Sequence, residues 1–197
     1  MTDGPPTPPP SADARTRILD AAEAIVRRSG VAALTLEAAA REASVSKGGL
    51  LYHFASKEAL LIGLLNRLAE FVAADFEAGV AAQQPGPGQV ARAMLEWAVG
   101  MPQAEMEERC DRAAAVFLAA FHHDPALLDP MRRVIGHMRE RVMADGLPAG
   151  HGLAIMAAGD GLFMARIFGL YRLTQAERDA VNAALSRLIL PAADVAP

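Results

Sequence analysis

Lys47, Tyr52, His53 and Lys57 bring an ammonium, a phenol, an imidazole and a second ammonium into one short stretch, TLEAAAREASVSKGGLLYHFASKE at 35–58. All four are hydrogen-bond donors suited to phosphate oxygens or base edges. Between the lysines stand Gly48 and Gly49, each of which costs a helix about 1 kcal/mol against alanine. Tolerating both points to a backbone that comes close to something such as DNA, with simple drift as the alternative. Other groupings carry less chemistry. His122, His123 and Asp124 suggest a metal or a base, but adjacent helical side chains do not share a face, and Pro125 follows at once. Histidines at the negative end of a helix dipole account for them. Cys110 lies in EERCDR with no second cysteine and no activating histidine, so neither a disulfide nor a nucleophile is expected. With no nucleophile–base pair, metal-ligand cluster or phosphate loop, the sequence argues against an enzyme, a cofactor and a metal.

The elements that hold these side chains follow from periodicity and caps. A first helix starts near Ser11–Asp13, with Ile18, Leu19, Ala22, Ile25 and Val26 at three- and four-residue spacing, and ends at Gly30. Thr35 caps a second helix, Ser46 a third and Ser56 a fourth. Leu34, Leu36, Ala39, Val45, Leu50 and Phe54 are expected to form the small core. Two short helices joined at Ser44–Val45–Ser46 have the helix-turn-helix spacing that sets a second helix in a DNA major groove. Lys47 would then reach guanine O6/N7 or a phosphate, or stand solvated; Leu51 would touch a thymine methyl or pack in the core. Tyr52 and His53 would donate to phosphates, with a structural aromatic at a helix end as the alternative for Tyr52. Lys57 opens the fourth helix, where free amides favour an anion. The Thr35 hydroxyl is a cap that could also reach a phosphate.

The whole chain sets the remaining bounds. It has 197 residues, 52% of them apolar and 21% charged, which affords a sizeable core. The net charge of −4 is unevenly spread: residues 11–67 hold eight basic and six acidic side chains, whereas the remainder is acidic. No apolar run reaches the roughly 18 residues of a membrane span, no signal-peptide pattern opens the sequence, and the one cysteine suits a reducing compartment, so a cytoplasmic protein is expected. Residues 1–11 read as a Pro-rich tail, residues 12–65 as the helix-turn-helix domain (motif about 35–54), and residues 66–192 as a second helical domain. The fourth helix runs to the QQPGPG break at 83–88, followed by helices near 89–100, 103–121, 125–144, 149–170 and 174–190. The class is therefore all-α, with about nine helices and no period-2 strand.

In the second domain, Trp97, Met101, Phe117, Phe121, Met138, Asp160 and Met164 are candidates for the wall of a hydrophobic effector pocket, since methionine adapts to varied apolar ligands. For any single methionine, ordinary core is the competing reading. Asp160 would be a pocket acid, an interface hydrogen bonder or a solvated group. The segment 153–170, LAIMAAGDGLFMARIFGL, is apolar nearly all round, so it must be covered on several sides. With 175–190 it is the candidate dimer interface, through Met156, Ala157, Phe163, Ile167, Leu185 and Leu188. A two-fold dimer would present its recognition helices to a palindrome with half-sites roughly 34–36 Å apart.

The stretch 45–60, VSKGGLLYHFASKEAL, resembles the recognition region of the tetracycline-repressor (TetR) family of bacterial regulators. Helix one, Thr35 and the start of helix four fit the same pattern, over about residues 12–65. The resemblance implies an all-α homodimer with a DNA-binding head, a larger effector-binding domain, and the last two helices of each protomer paired in a four-helix bundle. The candidate DNA-contacting residues on this reading are Thr35, Ser46, Lys47, Gly48, Gly49, Leu51, Tyr52, His53 and Lys57. The resemblance also implies a repressor released from a palindromic double-stranded operator by a small effector. Two departures stand out. Ser44 occupies a turn position where the family often has glycine, and Gly48–Gly49–Leu50–Leu51 stands where it often has Gly-Thr-Leu-Tyr, so the roles of that threonine and first tyrosine are not transferred. The competing function is a helical dimeric ligand-binding or adaptor protein that has lost specific DNA binding.

Overall fold

A computed structural model describes residues 13–101, 113, 114, 116 and 125–189. Every regular element among these residues is helical, and the chain divides after Leu64 into two compact units.

The first unit is built by local capping. Asp13 accepts the Thr16 amide at 2.7 Å and opens α1, Ala14–Ser29. Gly30, at φ 75°, stops it and leads into a 3₁₀ turn, Val31–Ala33. Thr35 caps α2, Leu36–Glu42, by accepting the Ala38 amide at 3.0 Å; Ser46 caps α3, Lys47–His53, by accepting the Gly49 amide at 3.0 Å. Ser56 accepts the Ala59 amide at 3.1 Å where α4, Lys57–Ala82, begins. Each hydroxyl or carboxylate covers a donor that the first turn leaves unbonded. Ile18, Leu19, Ala22, Leu34, Ala39, Leu50, Leu60, Leu61 and Leu64 are sealed from solvent at 2% exposure or less, with Phe54 close behind. Leu36 and Val45, expected in this core, are only half-buried, because one opens α2 and the other sits in the turn that follows it. A Cβ on Gly63 would stand 2.7 Å from the Phe54 ring, so glycine lets α4 lie directly on the end of α3.

The turn between α2 and α3 is a Schellman motif. Val45 N–H bonds to Ala40 C=O at 3.0 Å and Ser44 N–H to Arg41 C=O at 3.2 Å. Ser44 takes the left-handed position at φ 53°, the one non-glycine residue among those described with positive φ. A side chain there costs about 1 kcal/mol that glycine would not.

The second unit begins within α4 and continues through α5 (Gln89–Leu95), α6 (Asp129–Met143), α7 (His151–Ile167) and α8 (Gln175–Ser186), giving eight α-helices among the described residues. The helix expected at 103–121 falls mostly outside them, although residues 113, 114 and 116 are helical. The helix expected at 89–100 changes character: after Leu95 it widens into a π turn, Glu96–Gly100, closed by Met101 N–H to Glu96 C=O at 3.0 Å. The helix expected from 125 opens as a 3₁₀ turn, Pro125–Leu128, and becomes α-helical at Asp129. Thr174 and Glu177 form a capping box at the start of α8.

The start of α5 uses a cap from far along the chain. Its own N-cap is Gly88, at φ 81°, which has no side chain to offer, and a Cβ there would meet Ile189 at 2.8 Å. Asp145, buried after α6, supplies the acceptors instead: its carboxylate takes the Val90 amide at 2.9 Å and the Ala91 amide at 2.8 Å, while its carbonyl takes the Gly88 amide at 2.8 Å. On the surface, Glu77 of α4 accepts from Arg141 of α6 at 2.7 Å with His137 at 3.2 Å, an exposed cluster of small energetic weight.

Removing the Asp145 carboxylate orphans two buried amides, each worth about 1–3 kcal/mol. Asp145→Ala is therefore expected to destabilise by about 3 kcal/mol in urea denaturation, and Asp145→Asn by less. A loss under about 0.5 kcal/mol for the alanine variant, the size of an ordinary surface substitution, would remove the remote cap from the account.

Candidate functional site

Two sites emerge, one in each unit. In the first, α3 lies with one side on the core and the other in solvent. Leu50 and Phe54 face inward, whereas Tyr52 is 86% exposed and Leu51 40% exposed. An open tyrosine is uncommon on a helix that had the option of burying it. The Tyr52 and His53 rings meet edge-to-face, with centroids 5.1 Å apart. Lys47 stands in the first turn of α3, and Gly48 and Lys47 are both open to solvent. A Cβ on Gly48 would meet no atom within 4 Å. Packing among the described residues therefore does not require glycine at 48. At Gly49 the neighbour is the capping Ser46 hydroxyl at 3.2 Å.

Four of the sequence-derived residues have partners inside the chain. The hydroxyls of Thr35 and Ser46 are engaged as caps. Lys47 Nζ lies 2.7 Å from a Glu37 carboxylate oxygen on α2, and that hydrogen bond is the main reason Glu37 sits below the ordinary carboxylate range. Both side chains are more than half exposed, so the pair is weak and holds the ammonium over the turn without burying it. Lys57 Nζ donates to Val31 C=O at 3.0 Å, which ties the start of α4 to the 3₁₀ turn after α1. Sequence reading missed both pairings, since each joins elements that only the fold brings together.

In the second unit, a cavity of about 170 Å³ lies among α4, α5 with its π turn, α6 and α7. Leu68, Phe71, Met94, Trp97, Met101 and Phe163 form most of its apolar wall, and Asp160 and Arg166 are the charged groups on it. Trp97, Met101 and Asp160 thus stand where a pocket wall was expected. Met138 does not: it is 1% exposed, packed in the core. Met164 is 40% exposed and does not line the cavity. Phe117 and Phe121 lie outside the described residues. Of the interface candidates, Met156 is buried and Phe163 faces the cavity, whereas Ala157 is exposed and Ile167, Leu185 and Leu188 are half-buried. Among the described residues, no group of three or more His, Cys, Asp or Glu could hold a metal ion, and no helix is long and apolar enough to cross a membrane.

Partial burial raises the Asp160 carboxyl above its usual range, since leaving water disfavours the charged form. The fold therefore penalises ionised Asp160. The penalty is absent at acid pH, where the group is protonated whether folded or not, and is complete above the raised folded value. Asp160→Asn is expected to raise Tm at neutral pH, with the gain vanishing as the pH falls through the carboxylate range. A gain that persists unchanged at acid pH would show that burial of the charge was not its cause.

Gly48→Ala is expected to stabilise α3 by up to about 1 kcal/mol, yet weaken duplex DNA binding about tenfold or more by placing a methyl on the open face. Thermal melts paired with anisotropy titrations separate the two effects. Unchanged DNA affinity would mean that nothing approaches this backbone.

Residues 18–64 match the family described as bacterial regulatory proteins, tetR family, and residues 88–190 match the one described as tetracyclin repressor-like, C-terminal domain. No curated protein matches the chain. Among solved structures, the TetR-family member SCO1917 from Streptomyces coelicolor A3 is similar at 26% identity and a TM-score of 0.63, over 91% of this chain and 99% of that one. The multidrug binding protein EbrR complexed with malachite green is similar at 28% identity and a TM-score of 0.60, over 90% and 98% of the two chains. EbrR complexed with ethidium gives 25% identity and a TM-score of 0.61, over 91% and 99%.

Proposed function

The chain belongs to the tetracycline-repressor family of bacterial regulatory proteins, which are transcription factors and not enzymes, and from that premise we propose that it is a cytoplasmic, ligand-responsive repressor. As a homodimer it holds a palindromic operator and releases it when a small hydrophobic effector fills the cavity beside Trp97. The observation that carries the DNA half of this reading is the open face of α3, with Tyr52 almost fully exposed beside Lys47 and Gly48. Side chains in the first turn of such a helix face base edges, while the Tyr52 hydroxyl and the His53 ring nitrogen supply phosphate donors. Lys57 keeps N–H groups beyond the one given to Val31, so phosphate contact and its structural bond are compatible.

The dimer half rests on two faces that one protomer leaves uncovered. On α7, Ala154, Ala157, Gly161 and Met164 recur at three, four and three residues and are all exposed, with Phe168 next in the series. On α8 no side chain is buried, although alanine, valine and leucine make up half the helix. A second copy covering both faces gives each seam a partner of the same chemistry. The interface residues are then Ala157, Ile167, Leu185 and Leu188 with this stripe, and Met156 and Phe163 belong to the protomer's interior.

The effector half rests on the apolar cavity and on the dye complexes of EbrR. Its mechanism is a population shift through α4, a single helix that carries Lys57 at one end and the cavity residues Leu68, Phe71 and Val72 further along. An effector that favours a displaced α4 disfavours the dimer geometry that fits successive major grooves; one that binds both states equally does nothing.

An anisotropy titration against duplexes tiled across the DNA flanking the protein's own gene tests the reading. One duplex is expected to bind far more tightly than the rest, at two protomers per site. In Lys57→Ala the affinity falls for every duplex, and the slope of log K against log salt shrinks by about one. Uniformly weak binding by all duplexes would leave a dimeric ligand-binding or adaptor protein instead.

A further inference from the structure

The first turn of α1 sits against the end of α3. The Arg15 guanidinium carbon, Cζ, lies 5.5 Å from the centroid of the Phe54 ring. Phe54 closes α3 directly after Tyr52 and His53, whose rings meet edge-to-face. His53 is also near enough to the N-cap of α1 to act on its charge. The Asp13 carboxyl is held below the ordinary carboxylate range chiefly by the Thr16 amide, with smaller pulls from His53 and Arg15. One edge of the first unit therefore gathers a phenol, an imidazole and a guanidinium from two helices.

Arg15 differs from the cations that are tied up within this unit. Lys47 is paired with Glu37, Lys57 with Val31 C=O and Arg28 with Glu42. Arg15 is exposed, and among the described residues its N–H groups make no hydrogen bond and no ion pair. Asp13, the acid at the start of the same helix, is committed to the Thr16 amide. A contact with a ring orients a guanidinium and leaves N–H donors for another acceptor.

We propose that Arg15 is a DNA phosphate contact, so that α1 grips the duplex backbone beside the end of α3. The proposal rests on the DNA-binding reading above and adds to it a residue and a helix. Phe54 links the two: the ring that closes α3 also holds the guanidinium that flanks it. Arg15 is thus aimed by the same core that displays Tyr52. A planar fork takes phosphate oxygens in pairs, and such a contact positions the protein without reading sequence.

Anisotropy titrations of the full-length protein over a range of salt test this, on the tightest duplex and on an unrelated one. In Arg15→Gln the affinity is expected to fall about tenfold on both, and the slope of log K against log salt to shrink by about one. Arg15→Lys keeps the charge and loses the fork, so it is expected to restore the slope and only part of the affinity. Arg139→Gln, at an exposed position on α6 of the second unit, removes an equal charge and is expected to leave the slope unchanged. An unchanged slope in Arg15→Gln, with Lys57→Ala still lowering it, overturns the Arg15 contact and leaves the DNA-binding reading standing. A slope lost equally in Arg15→Lys makes the residue structural and overturns the contact as well. So does an equal loss in Arg139→Gln, since net charge then explains both. If no duplex binds the parent protein tightly, the DNA-binding reading and this inference fall together.

Discussion

The left-handed turn at Ser44 is the constraint on which the exposed face of α3 depends. Two carbonyls at the end of α2 are closed by Val45 and Ser44, and this fixes the direction in which α3 leaves. A direction that sends Leu50 and Phe54 into the core necessarily sends Tyr52 out of it, because residues two apart on a helix cannot share a face. The turn holds serine in a backbone conformation that glycine would adopt without strain. What offsets that strain is the packing beneath it: Leu34, Ala39 and Leu50 are completely buried. The display of α3 is thus set by the apolar contacts behind it, and the polar residues in front follow.

The same logic runs through α4. Its first turns close the small core with Leu60, Leu61 and Leu64, and Gly63 lets the Phe54 ring lie against its backbone. Further along, Leu68, Phe71 and Val72 wall a space that the described side chains do not fill. One helix therefore has a fully packed end and an incompletely packed end. In the proposed mechanism, occupancy of the open end biases the helix as a unit, since packed interfaces change state discretely.

Much of this was legible in the sequence because it is local. Asp13, Thr35, Ser46 and Ser56 cap the residues three positions on, and hydroxyl or carboxylate residues before an apolar period identify helix starts without tertiary information. The all-α class and the exposed recognition helix follow from the same short-range pattern. What was not legible depends on distance along the chain. Asp145 caps a helix by bonding the Val90 amide 55 residues before it, and no spacing rule connects the two. The Lys47–Glu37 pair and the bond from Lys57 to Val31 are likewise products of the fold. Methionine was uninformative by type: Met101 lines the cavity, Met138 is sealed in the core and Met164 is exposed, because a flexible apolar chain suits all three places. Helix periodicity also did not foresee the π turn after Leu95, since a single widened turn at the end of a helix is too short to break the apolar period visibly.

The π turn and α7 explain why the cavity exists at all. Gly159 brings α7 so close to the turn that a Cβ there would stand 3.3 Å from Ala98, and Gly152 does the same against Val142 of α6. Small residues thus pin α7 to its neighbours at two points. A Cβ on Gly161, one turn on from Ala157, would meet no atom of the described residues within 4 Å. A helix held this tightly on one side and stripped of bulk on the other cannot lean into the space between Trp97 and Phe163 to fill it. None of the described side chains fills that volume.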